Sequence, residues 1–151
     1  MLDDTDRRIL RQMQADPTMA LPDLADLTGM STSRLARRIE RLRDRDILRG
    51  PRAVINWRAL GYSVEVSLRV TLDKTQTRAF DDFIAAARDI REVIEIQTFL
   101  GRVDLRLSVI ARDMTHYQAI YRDQLLALPH IADIEALMHV ARIKSEETLP
   151  L

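Results

Sequence analysis

Eleven consecutive positions near the middle of the chain alternate between apolar and polar side chains. From 62 to 72, Tyr62, Val64, Val66, Leu68, Val70 and Leu72 are interleaved with Ser63, Glu65, Ser67, Arg69 and Thr71. A period of two sends successive side chains to opposite faces, so the run predicts a half-buried strand. Over 103–111 the same period returns: Val103, Leu105, Leu107 and Val109 alternate with Asp104, Arg106 and Ser108. Further strands are predicted at about 93–100, before a Gly101-Arg102 turn, and at about 132–143. Between them the period changes to that of a helix. Phe80, Phe83, Ile84 and Ala87 share one face of a predicted helix over 75–88. Met114, Tyr117, Ile120, Tyr121, Leu125 and Leu128 form the apolar stripe of another over 114–127, which Pro129 ends.

The first sixty residues are patterned differently. A helix is predicted over 3–15, with Asp3 as its cap, Asp6 in the first turn and Ile9, Leu10 and Met13 facing inward. A short helix over 22–28 has Pro22 at its first position and stops at Gly29, where a left-handed backbone is expected. Ser31 caps a third helix to about 45, whose Leu35, Ile39 and Leu42 recur at i, i+4 and i+7. Ile47-Leu48 and Ala53-Val54-Ile55 flank Gly50-Pro51 as a two-stranded wing. The fold expected is α+β: an N-terminal winged helix-turn-helix over 1–56, a connector at 57–61, and a C-terminal β-α-β-β-α-β domain over 62–151. That second order is the ferredoxin-like one, an antiparallel sheet with both helices on one face.

Charge adds what periodicity does not contain. The whole chain is neutral, with 23 basic and 23 acidic side chains. Residues 31–52 nevertheless hold eight arginines against Glu40, Asp44 and Asp46, a local net of +5. Residues 57–151 hold 12 basic and 14 acidic residues, a net of −2. On a helical wheel Ser33, Arg37 and Arg41 lie opposite the buried Leu35/Ile39/Leu42 sector, with Arg34, Arg38 and Arg45 on one flank. A basic face on the third helix of a three-helix unit, after a glycine turn, is the footprint of duplex DNA binding. The alternative is a merely solvated arginine face. The helix's N-terminal part enters the major groove, which brings Thr32, Ser33 and Arg37 nearest the base edges. The flanking arginines, with Arg49 and Arg52 of the wing, are assigned to phosphates. The DNA-binding set is therefore Thr32, Ser33, Arg34, Arg37, Arg38, Arg41, Arg49 and Arg52.

Other chemistry is thin. Without cysteine there is no disulfide, zinc-thiolate site or thiol nucleophile. His116, His130 and His139 are scattered, with no metal-ligand spacing, and are read as structural. No phosphate loop, nucleophile motif or paired-carboxylate pattern is present. Catalytic residues, metal and cofactor are all expected to be none. No apolar run is long enough for a membrane span, and Met1 leads into Asp3, Asp4 and Asp6 rather than a signal peptide. A cytoplasmic protein is expected.

Several stretches together carry a family resemblance: LDDTDRRIL at 2–10, DLADLTGMSTSRLARRIERLRDRDILRGPRAVIN at 23–56, LGYSVEV at 60–66, LGRVDLRLSVIARDMTHY at 100–117 and LPHIADIEALMHVARIK at 128–144. In this order they resemble the leucine-responsive/asparagine-synthesis (Lrp/AsnC, or feast/famine) regulators. The resemblance implies a DNA-binding helix-turn-helix and a ferredoxin-like sensing domain. It implies homodimers formed through the sheets, with tetramers or octamers as larger assemblies. It also implies a small-molecule effector, an amino acid being the expected class, at a Gly-x-x-Asp loop that is here Gly101, Arg102, Val103 and Asp104; for Asp104 the alternative is a turn-side aspartate packing in a dimer interface. The chain departs from the family pattern at Val103, where an aromatic residue is frequent, and at Ala136, where threonine is. Asp46 and His130 stand where glycines are usual. The function expected is transcriptional regulation, not enzymatic. A siroheme-decarboxylase-like enzyme of the same architecture is the alternative, and an interaction module binding neither DNA nor ligand is a third reading.

Overall fold

A computed structural model describes residues 2–145 and 148–151. The chain divides into two compact units, Met1–Val54 with Lys144–Leu151, and Ile55–Ile143. Met1, Glu146 and Glu147 lie outside the described residues.

Three helices make the first unit: α1 (Asp4–Ala15), α2 (Leu21–Thr28) and α3 (Thr32–Asp44). Asp3 caps α1 as expected, and reciprocally. Its Oδ1 accepts the Asp6 N–H at 2.7 Å while the Asp6 carboxylate accepts the Asp3 N–H at 3.4 Å. Two orphan donors of the first turn are thereby satisfied. α2 begins one residue earlier than expected, with Ala20 as a cap that offers no side-chain bond and Pro22 as the second residue. Gly29 adopts the left-handed conformation with φ 67° and ends α2. Ser31 occupies the cap position of α3 without capping it, its Oγ facing the Ser33 Oγ at 3.3 Å instead. Ile9, Leu24, Ala25, Leu35 and Ile39 form the core.

The two wing strands expected at 47–48 and 53–55 are not formed; the segment runs as turn and extended chain. The Ile47 and Leu48 N–H groups both go to the Leu42 carbonyl, at 2.9 and 3.1 Å, closing the end of α3. With those N–H groups engaged, 47–48 offers them no ladder, and Val54 and Ile55 stay exposed. The stretch 144–151, expected in the second domain, groups with the first unit. The Gln14 side chain bonds the Leu149 N–H at 2.6 Å and its carbonyl at 3.4 Å. Leu149 and Leu151 help line an apolar cavity of about 490 Å³ with Leu10, Met13, Leu24 and Ile39.

The second unit contains β1 (Val64–Leu72), α4 (Ala79–Arg88), β2 (Val93–Thr98), β3 (Leu105–Ala111), α5 (Met114–Ile120) and β4 (Ile131–Met138). The strands lie in the order β2-β3-β1-β4, all antiparallel, which is the ferredoxin-like arrangement. Leu68 sits opposite Leu107 on one side and Ala136 on the other. The alternating residues Val66, Leu68, Val70, Leu72, Leu105, Leu107 and Val109 point to one face, where Phe83, Ala87, Tyr117, Ile120 and Leu125 cover them. β4 is shorter than expected, ending at Met138, and α4 begins four residues late.

The single helix expected over 114–127 changes pitch. After Ile120 it widens into a π-turn over Tyr121–Leu125, closed by the Leu126 N–H on the Tyr121 carbonyl at 2.9 Å. The extra residue keeps both Ile120 and Leu125, five apart, on the buried side. Asp46 (φ 52°) and His130 (φ 63°) hold left-handed backbone at the positions where the family resemblance implies glycine. Each has a side-chain partner, the nearby Arg49 for Asp46 and the sequence-distant Asp82 of α4 for His130.

Phe83 is fully buried at the centre of the sheet unit. Phe83→Ala is expected to cost about 3–5 kcal/mol, read as a lower urea midpoint with an unchanged slope.

Candidate nucleic-acid interface and effector loop

α3 buries Leu35, Ile39 and Leu42 and turns its other side to solvent. Thr32, Ser33, Arg34, Arg37 and Arg41 are all exposed. Among the described residues, Arg34, Arg37, Arg41 and Arg52 make no ion pair or side-chain hydrogen bond, which leaves four guanidiniums on offer. Arg49 pairs with Asp46 at 3.3 Å, both side chains lying open to water. Such a surface pair is weak and easily exchanged for another anion. Arg34, Arg37 and Arg41 are thus presented on one helix, and guanidinium is the group that matches both phosphate oxygens and the paired acceptors of guanine.

Arg38 is different, and its assignment to phosphate is corrected. Its Nη1 contacts Asp3 Oδ2 and Asp6 Oδ1, both at 2.6 Å. The Asp6 side chain is almost completely buried, so Arg38 neutralises a charge that water does not reach. The hydrogen bond from Arg38 is the largest cause holding the Asp3 carboxyl below its ordinary value of 3.8. In return Asp3 first, then Asp6, hold the Arg38 proton more tightly. The two acids that cap α1 therefore also fasten α3 to it. Helical spacing alone placed Arg38 on the basic flank; only the packing of α1 shows that it faces inward.

The loop between β2 and β3 also departs from expectation at one residue. Gly101 has φ 151°, a backbone state that side chains avoid, and with Arg102 it is exposed. Val103 is half-buried. Asp104, expected on the polar side of its strand and offered to a ligand, is instead 4% exposed. Its Oδ2 accepts the Leu72 N–H at 2.9 Å and its Oδ1 meets Lys74 Nζ at 3.2 Å. The Asp104 N–H goes to the Val70 carbonyl at 3.0 Å. With these partners the carboxylate ties the start of β3 to the end of β1 and shapes the loop from behind.

In front of the loop lies a polar depression of about 330 Å³, lined by Arg69, Thr71, Arg102, Val103, Asp133 and Glu135. Arg69 and Glu135 are opposite in the β1–β4 register and pair loosely at 3.6 Å. Thr71 Oγ1 donates to the Arg102 carbonyl at 3.1 Å, fixing the loop over the depression. Two guanidiniums and two carboxylates around one small volume suit a ligand carrying both signs of charge. The sequence reading missed Arg69, Thr71, Asp133 and Glu135. The alternation of β1 placed the first two on the outward face, but no local signal gives the register that brings β4 beside them. The histidines sit apart, each near a different carboxylate: His116 with Glu92, His130 with Asp82 and His139 with Glu65. Among the described residues no group of three His, Asp or Glu side chains is placed to hold a metal.

Comparison with known proteins matches both units. The Lrp/AsnC ligand binding domain matches residues 65–149, and a winged helix-turn-helix DNA-binding domain matches residues 2–49. The proline dehydrogenase transcriptional activator of Rhodobacter capsulatus is 34% identical over 132 residues, covering 87% of this chain and 86% of the relative. The leucine-responsive regulatory protein of Salmonella typhimurium is 28% identical, covering 98% and 90%. A transcriptional regulator from Neisseria meningitidis, solved in complex with L-methionine, superposes with a TM-score of 0.89 at 27% identity, covering 99% of this chain and 97% of that one.

Arg38→Ala is expected to lower the melting midpoint where Arg41→Ala does not. The Asp3 carboxyl is depressed, so its pairing contributes fully above about pH 3.8 and is lost as the pH falls below it. Thermal melts across that range are expected to show a modestly larger acid loss for the wild type than for Arg38→Ala.

Proposed function

The chain belongs to the Lrp/AsnC family of transcriptional regulators, and from that premise we propose that it reads duplex DNA with α3 and responds to an α-amino acid at the loop between β2 and β3. The observation that carries the DNA reading is the set of free guanidiniums at Arg34, Arg37 and Arg41 on the exposed side of a helix whose other side is core. Thr32, Ser33 and Arg37 approach base edges. Arg34, Arg41, Arg49 and Arg52 neutralise phosphates. A twofold dimer presents two such helices to half-sites about one helical turn apart, and tetramers or octamers extend the same geometry.

The effector is a zwitterion in this reading. Arg69 and Arg102 receive its carboxylate, and Asp133 and Glu135 its ammonium, in the depression that Arg102 and Val103 of the Gly101–Asp104 loop help line. Asp104 shapes the loop without touching the ligand. The Neisseria relative bound to L-methionine supports an amino acid as the class. The ligand acts only through a difference in affinity between two states of the protein. No catalytic residue, metal or cofactor is required. A siroheme-decarboxylase-like enzyme is the weaker reading, because the arginine face of α3 then has no use. Among the described residues no helix is long and apolar enough to cross a membrane. With DNA as partner, the cytoplasm is the proposed location.

Arg37→Ala is expected to cost roughly 1–3 kcal/mol of specific binding and to relax one base position. Equal losses on specific and random duplexes would reject its base-reading role. Arg41→Ala is expected to weaken all sequences alike and to reduce the salt slope by about one.

Thermal unfolding against the twenty amino acids tests the effector. A ligand at about 100 times its Kd adds about 2.7 kcal/mol, and Arg102→Ala is expected to remove the shift. No shift with any of the twenty rejects amino-acid sensing and leaves DNA binding standing.

A further inference from the structure

Glu65 lies on the face of β1 that alternation gives to solvent, yet it is 3% exposed. Its two oxygens are shared between segments distant in sequence. Oε2 accepts from Arg58 Nη2 at 3.2 Å, and Oε1 from Arg142 Nη2 at 2.7 Å. His139 Nδ1 stands 3.6 Å from Oε1, and the His139 N–H donates to the Glu65 carbonyl at 2.9 Å.

Arg58 belongs to the connector before β1. Its guanidinium also stacks on the Trp57 ring, 4.7 Å from the centroid. The backbone bonds of the connector are local turn bonds: Ala59 to Asn56, Leu60 and Tyr62 to Trp57, and Gly61 to Arg58. His139 and Arg142 belong to the extended chain beyond the end of β4. Within 139–145 the His139 N–H makes the one backbone hydrogen bond found among the described residues. Apart from the His139 N–H bond to the Glu65 backbone carbonyl, the long-range polar ties found for both segments among the described residues go to the same carboxylate. A carboxylate out of water holds its cations strongly, because freeing it leaves a buried charge without a partner.

We propose that Glu65 is a positioning residue that clamps the connector and the segment after β4 to β1 together, fixing where the chain enters and leaves the sheet unit. The two segments are coupled through it, so a shift in β1 reaches both at once. Neither the DNA-reading residues nor the effector loop is part of the clamp. The inference stands whether or not an amino acid binds.

Trypsin tests the clamp on the full-length protein, since an arginine held by Glu65 cannot enter the protease's specificity pocket. Initial cuts after Arg58, Arg142 and Arg88 are timed by mass spectrometry in the wild type and in Glu65→Gln. Arg88, at the end of α4, is the control. The cuts after Arg58 and Arg142 are expected to accelerate together by about tenfold, with Arg88 unchanged, because cleavage follows the population of the open form. Acceleration at one site, at neither, or equally at all three overturns the proposal. Should Glu65→Gln fail to fold, the wild type decides. Guanidinium N–H signals of both Arg58 and Arg142 in slow exchange with water support the clamp, and fast exchange at either overturns it.

Discussion

A carboxylate taken out of water must be met by cations and N–H donors, and this chain does so at three places. Asp6, Glu65 and Asp104 are the buried acids among the described residues. Asp6 is met by Arg38 and by the backbone of the α1 cap. Glu65 is met by Arg58 and Arg142, and Asp104 by Lys74 and the Leu72 N–H. Removing one partner of such a group costs far more than the pair contributes, since the charge is left stranded. Apolar burial drives each unit to collapse, but these acids specify which segments lie together when it does.

In the helix-turn-helix unit this requirement sorts arginines that look alike. Arg38 is consumed by Asp3 and Asp6, which fixes α3 against the cap of α1. Among the described residues Arg34, Arg37 and Arg41 then have no side-chain partner, on a helix that is held from two directions, by its leucine and isoleucine face and by one guanidinium. Such fixing matters for any guanidinium that recognises a planar pair of acceptors, because the match is geometric.

The outward face of the sheet divides in the same way. At one end Glu65, Ser67, Ser108 and Ile110 are buried. At the other, Arg69, Thr71, Arg102, Asp133 and Glu135 surround an open depression. β1 runs through both ends, hydrogen-bonded to β3 on one edge and to β4 on the other. The open depression and the clamped chain at the closed end therefore lie on the same strand.

Much of this was legible in the sequence. The period of two over 62–72 dictated β1, and the apolar stripes dictated the helices. Asp3 and Gly29 marked helix ends because their chemistry is local. The element order then implied the ferredoxin-like sheet, since few topologies satisfy it. The basic face of α3 was visible for the same reason, as residues three and four apart share a helix side. What the tertiary structure alone decided was the partner of each charge. Arg38 looked like a phosphate contact, Asp104 like a ligand contact and Glu65 like a solvent residue. Each instead meets residues about 30 to 80 positions away, and no local pattern encodes such a meeting. The two strands expected at 47–48 and 53–55 are absent for a related reason: propensity favoured them, but the N–H groups of Ile47 and Leu48 were already spent on closing α3. Local spacing determines which face a side chain occupies. Only the packed chain determines whether that face meets water, another charge or a ligand.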